Sequence, residues 1–91
     1  MYRVLIADDE KIEREGIKFL LSMEEGEYEI QEASNGKQAL NIIHSQEIDF
    51  LRTDIKMPHM DGLELAARGS EENPEIPIVI FSGYSDFGFA Q

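Results

Sequence analysis

Four short runs of apolar or alternating residues punctuate an otherwise charged chain. Val4–Ala7 (VLIA) is continuously apolar, the pattern of a strand covered on both faces of a sheet. Tyr28–Ala33 (YEIQEA) alternates, as a half-exposed edge strand does. Ile48–Thr53 (IDFLRT) and Ile76–Phe81 (IPIVIF) are the third and fourth predicted strands. Helical patterns lie between them. In residues 10–23, EKIEREGIKFLLSM, the side chains of Ile12, Phe19, Leu20 and Met23 form a broad apolar face opposite the charges. Asp9 stands where an N-cap is expected, with acids following it in the first turn, where the helix dipole favours them. Asn35 is the expected cap of GKQALNII, with Ala39, Leu40 and Ile43 turned inward. Asp61 is the expected cap of GLELAARGSEE, which Asn73 and Pro74 close. Alternation of strand and helix at this spacing predicts right-handed βαβ units around a parallel sheet, a doubly wound α/β architecture.

Length and charge narrow the function. Ninety-one residues allow one small domain with limited burial, and 42% hydrophobic content is enough to fold it. A net charge of −11 disfavours direct contact with nucleic acid and suits a protein that recruits cations or basic partners. With no cysteine, disulfide scaffolds and thiolate metal sites are excluded. The apolar run in MYRVLIADDE is too short for a signal peptide, and no stretch approaches a membrane span. The expected compartment is the cytoplasm, with no membrane partner.

Chemistry is expected where the strands end, because ligands of open parallel sheets bind outside the carboxyl ends near a change in strand order. Asp8, Asp9 and Glu10 follow the first run, Asp54 the third, and Ser82-Gly83 the fourth. The second run ends in Ala33-Ser34-Asn35-Gly36, a capped turn without an acid. If the first and third strands are neighbours, three aspartates from two strands converge. Crowded carboxylates repel, and burying them unpaired is costly. A hard divalent cation such as Mg²⁺, which takes carboxylate, carbonyl and water oxygens, relieves that repulsion and screens an incoming phosphoryl group. Asp54 is then placed to accept phosphate as a carboxylate nucleophile. Ser82 offers a hydroxyl to a phosphoryl oxygen, and Gly83 leaves room for close approach. Each feature taken alone also has a plain structural role. Asp8-Asp9 can serve as a cap and first turn, Ser82-Gly83 as a turn, Asp61 as a cap, and Met57 and Met60 as packing. Their convergence on one sheet edge is what points to a site.

These residues carry a resemblance. VLIADDE, TDIKMPHMDGLEL and PIVIFSGYSDF, in that order and spacing, resemble the receiver domain of two-component response regulators across the whole chain. The resemblance implies a flavodoxin-like fold with strand order 2-1-3-4-5 and phosphate transfer from a histidine kinase to Asp54. It implies a Mg²⁺ site formed by Asp8, Asp9, Asp54 and the backbone carbonyl of Lys56, and a switch hydroxyl at Ser82. Tyr84-Ser85-Asp86-Phe87 is similar to receivers joined to AraC-type DNA-binding output domains, so DNA is an expected partner only through such a domain.

Three departures from the family pattern stand out. The family continues through a fifth strand, ending in a lysine that pairs with the phosphoryl group, and a fifth helix, for which the sequence has no positions. The expectation is therefore an incomplete receiver over residues 1–91, lacking strand five and helix five. Arg52 stands two residues before Asp54, where the family has an apolar residue. Gly69 interrupts the third helical pattern. Two other readings follow from the same residues. One is a Mg²⁺-dependent phosphohydrolase, although such enzymes carry D-x-D after the first strand rather than Asp8-Asp9-Glu10. The other is a non-competent receiver fragment that relays no phosphate and acts only as a self-associating module, pairing through an exposed IPIVIF edge.

Overall fold

The computed structural model describes residues 1–81, so Ser82, Gly83 and the segment 84–87 lie outside the described residues. Seven elements alternate: β1 (Tyr2–Ala7), α1 (Lys11–Ser22), β2 (Tyr28–Ala33), α2 (Gly36–Ser45), β3 (Phe50–Asp54), α3 (Gly62–Glu72) and β4 (Ile78–Phe81). The strands form one parallel sheet in the order β2-β1-β3-β4. The continuous apolar run falls on β1, which is flanked on both sides and buried from Val4 to Ala7. The alternating run falls on the edge strand β2. This is the expected flavodoxin-like, doubly wound arrangement.

Two strands start later than the sequence pattern suggests. β3 begins at Phe50 rather than Ile48 and takes in Asp54; Ile48 is buried ahead of the strand as part of the core. β4 begins at Ile78 because Pro77 has no N–H to enter the ladder, although its carbonyl still accepts from the Leu51 N–H at 3.0 Å.

Leu5, Ala7 and Leu51 point to the sheet face that packs on α2 and α3 through Ala39, Ile43 and Leu65, forming the core. Asn35 caps α2, its side chain accepting from the Gln38 N–H at 2.8 Å; Asp61 caps α3 through the Glu64 N–H at 2.8 Å. Both caps are as expected, and Asn73 closes α3.

Helix α1 departs from expectation in two ways. Its N-cap is Glu10, with no side-chain cap bond, rather than Asp9. The turn is set instead by Asp8, whose Oδ1 accepts from the Glu10 N–H at 2.9 Å in a local Asx-type bond. The helix is also rotated away from the anticipated face: Ile12 is 84% exposed and Met23 69%, with Phe19 and Leu20 exposed as well. The half-buried stripe is Glu13, Arg14, Ile17, Lys18 and Leu21. Polar ties hold this orientation. Arg14 Nε and Lys18 Nζ donate to the two carboxylate oxygens of Glu32 on β2, at 2.9 and 3.0 Å. A second Arg14 nitrogen donates to the Asp8 carbonyl at 2.7 Å. Beneath the helix lies an open concavity of about 390 Å³, lined by Ile17 and Leu21 from α1 and by Val4, Phe50, Arg52 and Phe81 from the sheet.

Candidate functional site

The change in strand order, where β1 lies between β2 and β3, gathers the acids. Asp8 leaves the end of β1 only 6% exposed, its N–H donating to the Ala33 carbonyl at 3.0 Å. Asp54 is the last residue of β3, half-buried beside it. The third member is Glu13, carried in by the inward stripe of α1. One carboxylate oxygen from each of Asp8, Glu13 and Asp54 lies within 4.8 Å of the others. Asp9 is exposed and outside this group.

The backbone around Asp54 is held from several sides. The Thr53 hydroxyl donates to the Asp54 carbonyl at 2.9 Å, and the Ile55 N–H donates to the Phe81 carbonyl at 2.7 Å. The Gly62 N–H donates to the Ile55 carbonyl at 2.8 Å. Gly62 is required here by space: a Cβ at this position would run into the Asp54 carbonyl oxygen, and would come within 3.0 Å of both the Asp54 carbonyl carbon and Ile55 Cα. The loop between them contains His59 at φ 71°, a left-handed conformation that costs a β-carbon-bearing residue on the order of 1 kcal/mol. Met57 is buried in the core and Met60 packs against it, as the packing reading of both expected. His44 lies away from the acids in an exposed 3.1 Å contact with Glu72.

Electrostatically the pocket is poised for a cation. Burial, followed by the charge of Asp8, raises the Asp54 carboxyl above its ordinary range, against the opposing effect of backbone N–H groups of Ile55 and Lys56. Glu13 is pushed up to about 7, first by a hydrogen bond to Asp8, then by burial and by the charges of Asp8 and Asp54. Two carboxyl groups in hydrogen-bond contact must share a proton or a cation. The donors are all hard oxygens, the set that Mg²⁺ prefers. Opposite them on the same sheet face, the Arg52 guanidinium rests over the Phe81 ring, 3.5 Å from its centroid. Burial lowers the Arg52 pKa, and the charges of Asp8, Glu13 and Asp54 act in the other direction.

Of the residues anticipated at the site, the geometry brings Asp8 and Asp54 together, leaves Asp9 at the rim, and adds Glu13. Sequence reasoning missed Glu13 because it took α1 to face inward through Ile12 and Phe19. The signal was present in the spacing of Glu13, Ile17 and Leu21, four residues apart on one stripe.

Comparison with known proteins agrees with this geometry. The response regulator receiver domain family matches residues 4–91. The transcriptional regulatory protein YesN of Bacillus subtilis is 37% identical over 92 residues, covering 100% of this chain and 25% of the relative. The crystal structure of the response regulator TrrA from Thermotoga maritima, in complex with Mg²⁺-BeF, superposes with a TM-score of 0.85 at 37% identity, covering 96% of this chain and 74% of that one. A two-component transcriptional regulator AraC from Clostridium phytofermentans gives a TM-score of 0.84 at 33% identity, covering 98% of this chain and 73% of that one. The chain thus spans about a quarter of the length of YesN and most of the solved receiver structures. Strand order, acidic edge and sequence together place the chain in the family of response regulator receiver domains.

Proposed function

We propose that this receiver accepts a phosphoryl group on Asp54 from a histidine kinase, and that the acyl phosphate controls an output domain, transcriptional as in the relatives named above. DNA is contacted only through that domain. The observation that carries this reading is the placement of a half-buried, desolvated Asp54 at the end of a central strand, beside Asp8 and Glu13. Asp8, Asp9, Asp54 and the Lys56 carbonyl are the proposed Mg²⁺ ligands, with Glu13 as an additional carboxylate at the same pocket. When bound, Mg²⁺ offsets the charge of the carboxylates and of the entering phosphoryl group. An Asp54 oxygen attacks phosphorus as the N–P bond of the donor phosphohistidine breaks; the imidazole leaves with the electron pair. The backbone N–H groups of Ile55 and Lys56 favour the ionised, attacking form of the Asp54 carboxylate. Ser82 is the proposed hydroxyl donor to a phosphoryl oxygen. The module works in the cytoplasm and, as an enzyme, does no more than catalyse its own phosphorylation. Intact mass after incubation with acetyl phosphate and Mg²⁺ should show one added phosphoryl group, abolished in Asp54→Asn. Labelling that survives in the variant would refute the assignment.

A second reading concerns the β4 edge. Among the described residues no strand pairs the outer side of β4, and Val79, Ile80 and Phe81 are each partly exposed there. An apolar edge with unpaired N–H and C=O groups is a template for another strand. We propose that two copies associate through it. Sedimentation at micromolar concentration should show a dimer or larger species that Val79→Lys weakens, whereas a monodisperse monomer would refute it.

A further inference from the structure

Arg52 has no place in the phosphoacceptor scheme above, yet its surroundings resemble a designed anion contact more than a misplaced core residue. In β3 alternate side chains share a face, so Arg52 and Asp54 point to the same side of the sheet. The register sets Arg52 opposite Ile6 and Val79, and Asp54 opposite Phe81. The Arg52 guanidinium lies over the Phe81 ring, 3.5 Å from its centroid; Phe81 stands two register positions beyond Val79 and pairs with Asp54, so the charge leans toward the carboxyl end of the sheet. With its centre over the ring, the guanidinium has no hydrogen-bond partner for its N–H donors among the described residues. Of the two cations on the inward stripe of α1, Arg14 is engaged with Glu32 and the Asp8 carbonyl, and Lys18 with Glu32. Among the described residues Arg52 has no ion pair within 4.0 Å. The acids whose charges act on it are Asp8, Glu13 and Asp54, those of the pocket.

We propose that Arg52 is a phosphoryl-contacting cation of this receiver: from its seat on Phe81 it donates hydrogen bonds to the oxygens of a phosphoryl group on Asp54. The inference rests on the phosphoacceptor reading of Asp54. Because the same positive charge opposes a cation in the pocket, Arg52 has opposite effects on the two ligands, strengthening the anion and weakening the metal. A residue that only supports the fold would move both in the same direction.

The test uses the whole chain with Mg²⁺ alone, and then with beryllofluoride at saturating Mg²⁺, followed by calorimetry and by amide shifts of residues 54–57. Arg52→Met should weaken beryllofluoride binding about tenfold or more, the range for a lost hydrogen bond to a charged group. It should leave Mg²⁺ binding unchanged or tighter. Arg52→Lys, which keeps stem and charge but not the planar fork, should fall between, and it decides the matter if the Met variant fails to fold. Unchanged beryllofluoride affinity in the variants, or equal weakening of both ligands, would overturn the role of Arg52 while leaving Asp54 as phosphoacceptor. If the unaltered chain binds Mg²⁺ but not beryllofluoride, the phosphoacceptor reading falls and this inference with it.

Discussion

The same substitution, glycine to alanine, should have opposite effects at two positions of α3. At Gly62 the new methyl would meet the backbone of Asp54 and Ile55, with two carbon contacts at 3.0 Å and the carbonyl oxygen closer still. Backbone cannot rotate aside as a side chain can. The strand end is also fixed by the Ile55–Phe81 and Gly62–Ile55 bonds at 2.7 and 2.8 Å, so relief requires moving the segment that carries Asp54. Overpacking of this kind costs about 1–3 kcal/mol. At Gly69 a methyl would lie 3.5 Å from Ile43 Cδ1 and 4.0 Å from Leu51 Cδ2, ordinary van der Waals contacts inside a helix. There alanine should gain about 0.5–1 kcal/mol from reduced backbone entropy in the unfolded chain. For a domain of this size each kcal/mol moves the melting temperature by roughly 4–8 °C. Urea unfolding followed by circular dichroism gives both signs in one experiment. Gly62→Ala should also weaken Mg²⁺ binding, because Asp54 moves with its backbone. A Gly62→Ala protein as stable as its parent, or a destabilised Gly69→Ala, would refute the packing argument.

Protonation gives a further expectation: Glu13 and Asp54 have raised carboxyl pKa values, so from the ordinary carboxylate range up to about pH 7 the folded chain retains protons that the unfolded chain has released. Metal-free stability should therefore fall as pH rises through that window, and Glu13→Gln should flatten the slope; an unchanged slope in thermal melts with chelator would contradict the cluster. Protons and Mg²⁺ compete for the same oxygens, so Mg²⁺ affinity measured by calorimetry should drop below pH 7 in the parent and less so in Glu13→Gln. Asn35→Ala removes the α2 cap bond and should cost about 1 kcal/mol in urea unfolding, without altering Mg²⁺ affinity. Arg14→Ala removes both the Glu32 pair and the 2.7 Å bond to the Asp8 carbonyl, and should lower stability and Mg²⁺ affinity together, as parallel melts and titrations would show.

The sheet and the two helices on its α2–α3 face were legible because their signals are local and strong. VLIA reads as a strand covered on both sides, and Asn35 and Asp61 read as caps from their side-chain chemistry. Asp8 and Asp54 followed from topology, since a parallel sheet with β1 beside β3 must bring their ends together. Helix α1 was misread because most of its apolar residues do not fall on its inward positions. Hydrophobicity favoured Ile12, Phe19 and Met23, but the non-local pairing of Arg14 and Lys18 with Glu32 decided the rotation. Glu13 was lost with that error. The capping role given to Asp9 failed for a similar reason, because the preceding Asp8 had already closed the turn by bonding to the Glu10 N–H.

That way of anchoring α1 has a kinetic meaning. None of its residues is fully buried, so the helix adheres to the sheet chiefly through Arg14, Lys18 and a half-buried stripe rather than through a sealed apolar face. Segments with few buried apolar contacts open at lower free energy than the rest of a domain. Amide exchange in α1 should thus run ahead of exchange in α2 and α3, as an opening separate from global unfolding. Since Glu13 rides on this helix and Asp8 lies at its threshold, each opening disassembles the acidic pocket. A cation in the pocket then ties the two together, and α1 should exchange more slowly in its presence while the amides of α2 remain as they were.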